Sequence, residues 1–385
     1  LNLRKNTKFK LTKKLKALLI HQEMYTAALE LESPPITFEG IIRDKLKPDV
    51  QRIDHEGFYP EAFMREYGEA GAFYPVTEPG NFYQAIENCS LVGETCGSTA
   101  FSIWCHNTCL WYLTNTENSY LRDKFLHRLS FAKKLGATGL SNPVKSFFGI
   151  EKMKLKGERT ANGYRVKGSL PWVSNLLENH VFGGIFDATE GPVFALFDCS
   201  RPNVRLRPSG PFIALEGTAT QAVSFLDAEI PDQMIISFDA KAFLAKVKAG
   251  FIMLQLGIGL GLMRGAIKDM HKANKTLGHT NCYLPEGPEV FEKELSNLQE
   301  RTKELASDPV YSAMNNEEFL KVLQLRLDAA EITRRTTYAG FLHQGSRGYL
   351  ERGSGQRRVR EGMFFDILSP STKHLRQWIK SLQNN

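Results

Sequence analysis

The feature that most constrains the fold is a change in hydrophobic periodicity near residue 134, reversed near residue 235. Between these positions, short alternating runs are separated by Gly, Pro, Asn and Asp, which is typical of strands. On either side, apolar residues recur at helical spacing. The sequence therefore predicts an α+β protein with an N-terminal helical domain (1–133), a middle β-barrel-like domain (134–235) and a C-terminal four-helix bundle (236–385). The predicted strands are Glu151–Gly157, Tyr164–Lys167, Val181–Phe186, Val193–Phe197, Val204–Arg207 and Ala222–Leu226.

The helical parts carry recognisable start and stop signals. One short helix has Pro60 at its beginning and Gly68 at its end, as helix boundaries prefer. The other predicted helices are Leu11–Leu31, Asn81–Cys89, Ser98–Leu113, Leu121–Leu129, Lys241–Asn274, Glu289–Ala306, Glu317–Arg347 and Met363–Leu382, the last interrupted at Pro370.

Composition and motifs exclude several classes of protein. An apolar share of 42% over 385 residues is that of a soluble globular protein. The longest apolar run, Phe251–Met263, is too short to span a bilayer and predicts a buried helix, whose glycines Gly257, Gly259 and Gly261 let neighbouring backbones approach. No Gly-x-Gly-x-x-Gly follows a strand, so a Rossmann unit is not expected.

Cysteine usage and the visible N-terminus favour a cytoplasmic protein. Six cysteines in so long a chain do not make a disulfide scaffold, and no secretory signal is visible. The pattern Cys105-His106-Asn-Thr-Cys109 has the spacing of metal ligands on one helix face. Apolar residues surround it and no second ligand pair follows, so we interpret it as a core helix and predict no metal site.

The net charge of +7 has a local origin. The segment Leu1–Lys16 contains seven basic residues and no acidic one. Such a segment could meet phosphates of a nucleic acid, a membrane or a CoA-type substrate, but a solvated chain end is the more common case. The segment has one aromatic residue, Phe9, which is not enough for an interleaved stacking platform, so nucleic-acid binding is not predicted.

The segment Gly163–Asn175 carries the strongest functional signal. Asn162-Gly163 predicts a hairpin turn, Gly168 is expected to break the strand, and Pro171 fixes the backbone before Trp172. An aromatic slab beside the hydroxyl of Ser174 suits a planar heterocycle such as a flavin. An ordinary core tryptophan in a β-bulge is the alternative interpretation.

Five short motifs, in order along the chain, resemble those of the acyl-CoA dehydrogenase superfamily. The motifs are Ala137-Thr-Gly-Leu-Ser141-Asn-Pro143, Pro171-Trp-Val-Ser-Asn175, Gly217–Phe225 with Ile230-Pro231, Gly345-Ser-Arg-Gly348-Tyr349, and Arg360-Glu361. The resemblance implies an FAD protein with a helical–β–helical architecture that forms a homodimer or homotetramer.

The resemblance also implies roles for particular residues. Trp172 would stack on the flavin, with Ser174 near its reactive edge. Leu140 and Ser141 would hold its pyrimidine edge, and Ser146 would lie near a phosphate. Gly345 and Ser371 would contact the ADP half, the glycine turn being offered to the flavin of a neighbouring subunit.

The sequence departs from the family at the catalytic base. Ser369 stands where the family usually has a glutamate that removes the α-proton of an acyl thioester. Some relatives place the base on the first helix of the C-terminal domain, but the aligned position is near Phe251, with Lys246, Lys248 and Gln255 around it and no acid. Asp366 and Glu361 are the nearest carboxylates, and both are expected to be ion-paired or at the surface. The catalytic residue is therefore unknown.

Three functions remain open. The first is an FAD-dependent dehydrogenase of acyl-CoA or acyl-carrier thioesters, with an electron-transfer flavoprotein, oxygen or a flavin reductase as its redox partner. The second is a flavin-dependent monooxygenase or oxidase of the same fold, which needs no α-proton base. The third is a non-catalytic flavin-fold binding protein, which loss of the Trp172–Ser174 site would indicate.

Overall fold

The computed structural model describes residues 37–307 and 314–384, so the predicted helix Leu11–Leu31 and the basic segment Leu1–Lys16 lie outside the described residues. Before the sheet come α1 (Phe38–Ile41), α2 (Val50–His55), α3 (Glu61–Glu69), α4 (Phe82–Thr95), α5 (Gly97–Asn115), α6 (Ser119–Leu121) and α7 (His127–Ser130), with α8 (Ser141–Phe147) after its first strand. After the sheet come α9 (Ala240–Met253), α10 (Leu256–Asn281), α11 (Pro288–Ala306), α12 (Asn316–Gln344), α13 (Ser346–Tyr349), α14 (Ser354–Ile367) and α15 (Thr372–Gln383).

Eight strands of the described residues form one sheet. They are β1 (Gly136–Thr138), β2 (Leu155–Thr160), β3 (Gly163–Val173), β4 (Val181–Ala188), β5 (Gly191–Asp198), β6 (Val204–Pro208), β7 (Gln221–Pro231) and β8 (Ile235–Ser237). Their order is β6-β7-β3-β2-β4-β5-β8, with β1 paired in parallel to β4. The predicted α+β architecture is confirmed. Closure into a barrel is not shown, because no ladder among the described residues joins β6 to β8. The domain boundaries at 133 and 235 stay predictions.

The prediction that Gly168 breaks the strand is wrong, because β3 continues to Val173. At Gly168 the backbone has a φ of 123°, and an added Cβ would lie 2.2 Å from the carbonyl oxygen of Lys154 on the approach to β2. A side chain there would clash with that backbone. Glycine at this position therefore permits close strand pairing instead of ending it.

A bulge near the end of β3 reverses the alternation of its side chains. Leu170 pairs with Val223 of β7, but the next pair joins Val173 to Gln221, so β3 has one residue more than its partner here. Before the bulge the even-numbered residues Tyr164, Val166 and Leu170 are buried, and after it Val173 is buried while Trp172 is exposed. The bulge therefore turns the indole outward.

The centre of the protein is helical. Helix α5 is buried from Gly97 through Leu113, which explains why its sequence is not amphipathic. The long helix predicted over Lys241–Asn274 is two helices, since α9 ends at Met253 and α10 starts at Leu256. An i→i+3 bond from the Gln255 amide to the Ile252 carbonyl tightens the backbone between them.

Small residues allow α10 to pack closely in the core. A Cβ on Gly261 would lie 2.6 Å from the Cα of Gly93 on α4, and a Cβ on Gly259 would meet Phe365 of α14. The stretch Ala240–Asn281 is long and apolar enough to cross a membrane by length and composition, with a mean hydropathy of 1.5. In this protein 94% of its most apolar window is buried, so it is weak evidence for a membrane span.

Candidate active site

Trp172 presents its indole to solvent. The side chain is 59% exposed, whereas Leu170 and Val173 on the same strand are buried. Each Å² of apolar surface left in water forgoes about 25 cal/mol of stabilisation, so a large exposed aromatic beside buried neighbours favours a surface that another group covers. The alternative interpretation of Trp172 as a core residue is wrong for the described structure.

A chain of hydroxyl groups runs beside this indole. Ser174 Oγ lies 2.6 Å from Thr220 Oγ1, which lies 2.8 Å from Thr218 Oγ1. Thr218 Oγ1 donates to the carbonyl oxygen of Leu215 at 2.7 Å, so Thr220 donates to Thr218 and Ser174 donates to Thr220. The oxygen of Ser174 therefore keeps lone pairs that can accept a further hydrogen bond.

Asn175 fixes the turn that carries Ser174. Its Nδ2 donates to the carbonyl oxygen of Gly136 at 2.7 Å, and its Oδ1 accepts from the Tyr59 hydroxyl at 2.6 Å. The backbone of Asn175 is left-handed with a φ of 60°, a conformation that asparagine tolerates better than most residues. His180 Nδ1 donates to the carbonyl oxygen of Asn175 at 3.0 Å, and burial lowers the pKa of His180 to about 4.

The neighbouring loop also has a strained backbone. Leu215 and Ala219 have φ values of 65° and 46°, in a region that L-residues rarely adopt. The segment is attached to the strand because Ser209 Oγ donates to the carbonyl oxygen of Pro171 at 2.8 Å. Such strain persists only where surrounding contacts hold it, and it clusters at functional sites.

Ser141 begins α8, the helix that follows β1. Its Oγ lies 3.1 Å from the Oγ of Ser369, so the structure brings together the predicted flavin loop and the predicted base position. Asn142, the next residue of the predicted flavin loop, is buried and structural: it donates to the carbonyl oxygen of Lys152 and accepts from the amide of Lys154.

Ser369 lies in a corner that contains a buried cation. Gln255 Nε2 donates to the Ser369 carbonyl oxygen at 2.9 Å, and Gln255 Oε1 accepts from Arg326 Nε at 2.7 Å. Arg326 also donates to the carbonyl oxygen of Phe365 and lies 3.7 Å above that ring. Burial lowers the pKa of Arg326 to about 9, and no carboxylate among the described residues forms an ion pair with it.

The two nearby carboxylates are held by other partners. Glu361 is buried and accepts from Arg357 Nη1 at 2.9 Å and from the amide of Gly97 at 3.1 Å. Asp366 accepts from Thr372 Oγ1 at 3.1 Å and lies 3.3 Å from Arg334 Nε. Both carboxylates therefore stabilise the helical packing as ion pairs.

An apolar cavity of about 230 Å³ lies beside Ser141 and Ser369. Leu140 borders it next to Ser141, and Pro370 borders it next to Ser369. The remaining lining residues are Val144, Phe147, Phe148, Leu244, Ala245, Lys248, Phe251, Ile252 and Trp378. A ligand in this cavity would therefore contact Leu140 of the predicted flavin loop and Pro370, the residue after the predicted base position.

The other predicted contacts are spread over three places. Ser146 lines a wide outer groove, which shares Phe147 and Leu244 with the cavity. Ser371 is buried at the N-cap of α15, but its hydroxyl has no hydrogen-bond partner among residues 37–307 and 314–384, so it can serve a ligand. Gly345 ends α12 with a φ of 56°, and an added Cβ would meet no described atom within 4 Å.

The cysteine–histidine pattern lies inside the buried helix α5. His106 Nε2 donates to the carbonyl oxygen of Leu129, and its Nδ1 accepts from the amide of Gly136, each at 3.0 Å. Burial lowers the pKa of His106 to about 3. Both ring nitrogens thus have backbone partners, and no group of three or more His, Cys, Asp or Glu side chains in the described part of the chain could hold a metal ion.

Comparisons with known proteins agree with this architecture. No protein-family model matches the chain. The mitochondrial isovaleryl-CoA dehydrogenase of Pongo abelii is 22% identical over 279 residues, which cover 68% of this chain but only 64% of that relative. The structure of butyryl-CoA dehydrogenase from Megasphaera elsdenii superimposes with a TM-score of 0.79 at 15% identity, covering 90% of this chain and 96% of the other. The chain therefore has the fold of the acyl-CoA dehydrogenases.

A second superfamily structure contains the reduced cofactor. The glutaryl-CoA dehydrogenase of Mycobacterium smegmatis in complex with FADH2 has a TM-score of 0.73 and 13% identity, covering 90% of this chain and 93% of the other. At such low identity, the structural likeness to these acyl-CoA dehydrogenases establishes the shared fold.

Several residues of the candidate site were not predicted from the sequence. Tyr59 and His180 hold the Asn175 turn, and Thr220 orients Ser174. Gln255 and Arg326 hold the Ser369 segment. Gln255 offered a signal, since it is the one polar side chain in the apolar run Phe251–Met263. Arg326 offered none, because nothing in its local pattern distinguishes it from a solvent-facing arginine.

Proposed function

We propose that the chain is an FAD-dependent oxidoreductase of the acyl-CoA dehydrogenase type, acting on a CH–CH bond of an acyl thioester. The observation that supports this most is the open indole of Trp172 beside Ser174, on a fold that acyl-CoA dehydrogenases share. A flat apolar wall next to oriented polar groups is what a planar cofactor needs.

The residues present fit FAD. The buried hydroxyl of Ser371 has no partner in the part of the chain that the structure describes, and the oxygen of Ser174 has lone pairs available. When bound, FAD would supply acceptance of a hydride from the substrate. The residues that we propose to hold it are Leu140, Ser141, Ser146, Trp172, Ser174, Gly345 and Ser371.

The described residues do not supply a base that could remove the substrate proton. Ser369 Oγ faces Ser141 Oγ, and the groups behind it are a neutral amide and a guanidinium. Neither Gln255 nor Arg326 can act as the carboxylate base that α-proton abstraction requires. This observation keeps open the alternative of a flavin-dependent monooxygenase or oxidase, which the relatives do not favour.

We also propose that the protein acts as a homodimer or homotetramer in the cytoplasm. Gly345 follows a helix that ends at the surface, and Tyr349 in the same turn is 79% exposed. Both would be available to a cofactor held by a neighbouring copy. An electron-transfer flavoprotein or a flavin reductase would be the redox partner.

The decisive experiment is anaerobic titration of the purified protein after incubation with FAD. Uptake of FAD, followed by bleaching of its visible absorption by an acyl-CoA, would support the proposal. Bleaching only by NADH with a flavin reductase would support the oxygen-activating alternative. A protein that takes up no FAD would contradict both.

A substitution can supply the missing carboxylate. We expect Ser369→Glu to increase the rate at which acyl-CoA reduces the bound flavin, since the side chain would stand at the family's base position. Ser369→Gln is the matched control, having nearly the same shape without a basic oxygen. Equal rates in the two variants across several chain lengths would contradict the assignment to acyl thioesters.

A further inference from the structure

Four histidines are buried among the described residues, and they differ in their hydrogen bonds. His106 and His343 bond through both ring nitrogens, and His180 bonds through one of them. Neither nitrogen of His374 has a partner in the described part of the chain, although only 3% of the residue is exposed. A buried polar group without a partner destabilises the fold, so this imidazole favours a ligand that completes its hydrogen bonds.

His374 lies in the first turn of α15, a helix of 12 residues whose N-cap is Ser371. Side chains three residues apart lie on the same side of a helix, so these two are neighbours. The hydroxyl of Ser371 is also buried, has no partner among the residues described and does not cap the helix. The first amides of a helix have no acceptor within it. A hydroxyl and an imidazole without partners therefore lie beside the amides of a helix N-terminus.

The surroundings of this turn are positively charged. The first turn of α15 contains no acidic residue, and the helix dipole places a partial positive charge at its N-terminus. Burial lowers the pKa of His374, and the charges of Lys373 and Lys145 lower it further. The turn therefore suits an anion better than a cation.

Two carboxylates near this turn are paired with basic groups. Glu151 lies 3.7 Å from Lys145 Nζ, and Asp366 lies 3.3 Å from Arg334 Nε. Asp366 also accepts from Thr372 Oγ1 at 3.1 Å, so the hydroxyl of Thr372 is used within the protein. Neither carboxylate forms a hydrogen bond with the imidazole or with the N-cap hydroxyl in the described structure.

The turn lies directly behind the wall of the apolar cavity. Phe148, which follows α8, stacks parallel to the His374 ring with 6.4 Å between the ring centroids. Phe148 borders the cavity, and so does Pro370, the residue before Ser371. A ligand that reaches from the cavity past these two residues would therefore meet both unpartnered groups.

We propose that the first turn of α15 binds a phosphate group of a nucleotide ligand, with Ser371 and His374 as its side-chain donors. Phosphate oxygens accept strong hydrogen bonds and suit a helix N-terminus, whose amides point at the anion. The proposal gives His374 a binding role, and it rests on the proposed function only for the source of the phosphate. FAD and coenzyme A both carry phosphate groups, so the test includes both.

The direct probe is inorganic pyrophosphate, titrated by calorimetry into the full chain without added flavin, at an ionic strength held constant with sodium chloride. We expect His374→Phe and Ser371→Ala each to weaken pyrophosphate binding on the order of tenfold, because each removes a hydrogen bond to a charged group. Thr372→Val is the matched control in the same turn. It should bind within a factor of about two of the native chain, since that hydroxyl bonds to Asp366.

Stability separates a binding role from a structural one. Phenylalanine keeps a flat ring against Phe148 and removes two nitrogens that bond to no described residue. In urea denaturation without ligand, His374→Phe and Ser371→Ala should therefore be at least as stable as the native chain. A loss of stability in both variants would show that these groups support the fold, and it would overturn the inference.

Titration of the same variants with FAD and with coenzyme A identifies the source. A loss on the order of tenfold for FAD alone assigns the phosphate to the cofactor, and a loss for coenzyme A alone assigns it to the substrate carrier. Pyrophosphate binding that is equal in the native chain and both variants, or absent from the native chain, would overturn the inference. FAD uptake with unchanged affinity in both variants would contradict an FAD phosphate here and leave the proposed function intact. Retained pyrophosphate binding without FAD uptake would do the reverse.

Discussion

Two parts of the candidate site differ in how their polar groups are used. We call Trp172, Ser174 and Thr220 the indole face, and Ser369, Gln255 and Arg326 the Ser369 corner. The indole face has an exposed ring and a serine oxygen with free lone pairs. In the Ser369 corner, the polar groups bond mostly to one another and to backbone carbonyls.

The difference separates cofactor binding from catalysis. The indole face keeps what a stacked cofactor would use, and buried contacts of Asn175, Tyr59 and His180 hold it from behind. The Ser369 corner has a serine at the predicted base position, with an amide and a cation behind it. A chain of this kind can keep the fold and the cofactor surface while its reaction centre changes.

The largest expected effect concerns Trp172. We expect Trp172→Ala to weaken FAD binding on the order of a hundredfold, since stacking on one aromatic ring contributes about 1–3 kcal/mol. Trp172→Phe, which keeps an aromatic face, should lose on the order of tenfold or less. Fluorescence titration with FAD measures both. Unchanged affinity in Trp172→Ala would remove the indole face from the cofactor site.

The support behind the indole face can be tested by stability. We expect Asn175→Ala to lower the free energy of unfolding by about 2–3 kcal/mol, because it leaves the Tyr59 hydroxyl and the Gly136 carbonyl without a partner and strains a left-handed backbone. Asn175→Gly removes the same bonds without that strain, so it should cost about 1 kcal/mol less. Urea denaturation measures both, and equal losses would show that backbone strain is absent.

Acid should weaken the same support. The pKa of His180 is about 4 in the folded protein, compared with 6.5 for an unperturbed histidine. Below pH 6.5 the unfolded chain therefore binds a proton at His180 that the folded protein binds only near pH 4. Stability therefore falls as pH drops through this window. Between pH 7 and pH 5, His180 should account for about 2 kcal/mol of the loss. His180→Gln should reduce the pH-dependent loss by that amount in urea titrations, and an unchanged pH profile would contradict it.

The smallest effect on FAD affinity is expected in the Ser369 corner. Gln255→Met should lower the free energy of unfolding by about 3 kcal/mol, because the buried Arg326 loses an acceptor and the Ser369 carbonyl loses a donor. FAD affinity should stay within a factor of about two, because Gln255 is not among the residues that we propose to hold FAD. A tenfold loss would correspond to about 1.4 kcal/mol. A large drop in FAD affinity in this variant would break the separation between the two parts.

The sequence predicted the α+β architecture from periodicity alone, and five motifs predicted the superfamily. It placed most helices and strands within a few residues, because their periodicity is a local property. It missed β1 and β8, which are three residues each and too short to show a pattern. It also predicted one helix where α9 and α10 meet, since the break depends on a backbone turn at Gln255 that carries no glycine or proline.

The site was predicted less completely, and the reason is physical. Trp172, Ser174, Ser141 and Ser369 lie within short motifs, so their positions could be found by resemblance. The contacts that orient them join residues far apart in sequence, such as Tyr59 with Asn175 and Arg326 with Gln255. A single sequence carries no record of such pairs, and only the folded chain brings them together.

The bulge between Leu170 and Val173 determines which side chains of β3 face a ligand, because it adds one residue to this strand. Successive side chains of a strand point to opposite sides, so one supernumerary residue decides whether position 172 meets solvent or the interior. A chain shortened by one residue there would retain its tryptophan and its serine and still lose the exposed ring. In this protein, the exposure of Trp172 depends on the spacing of the motif as much as on its residue types.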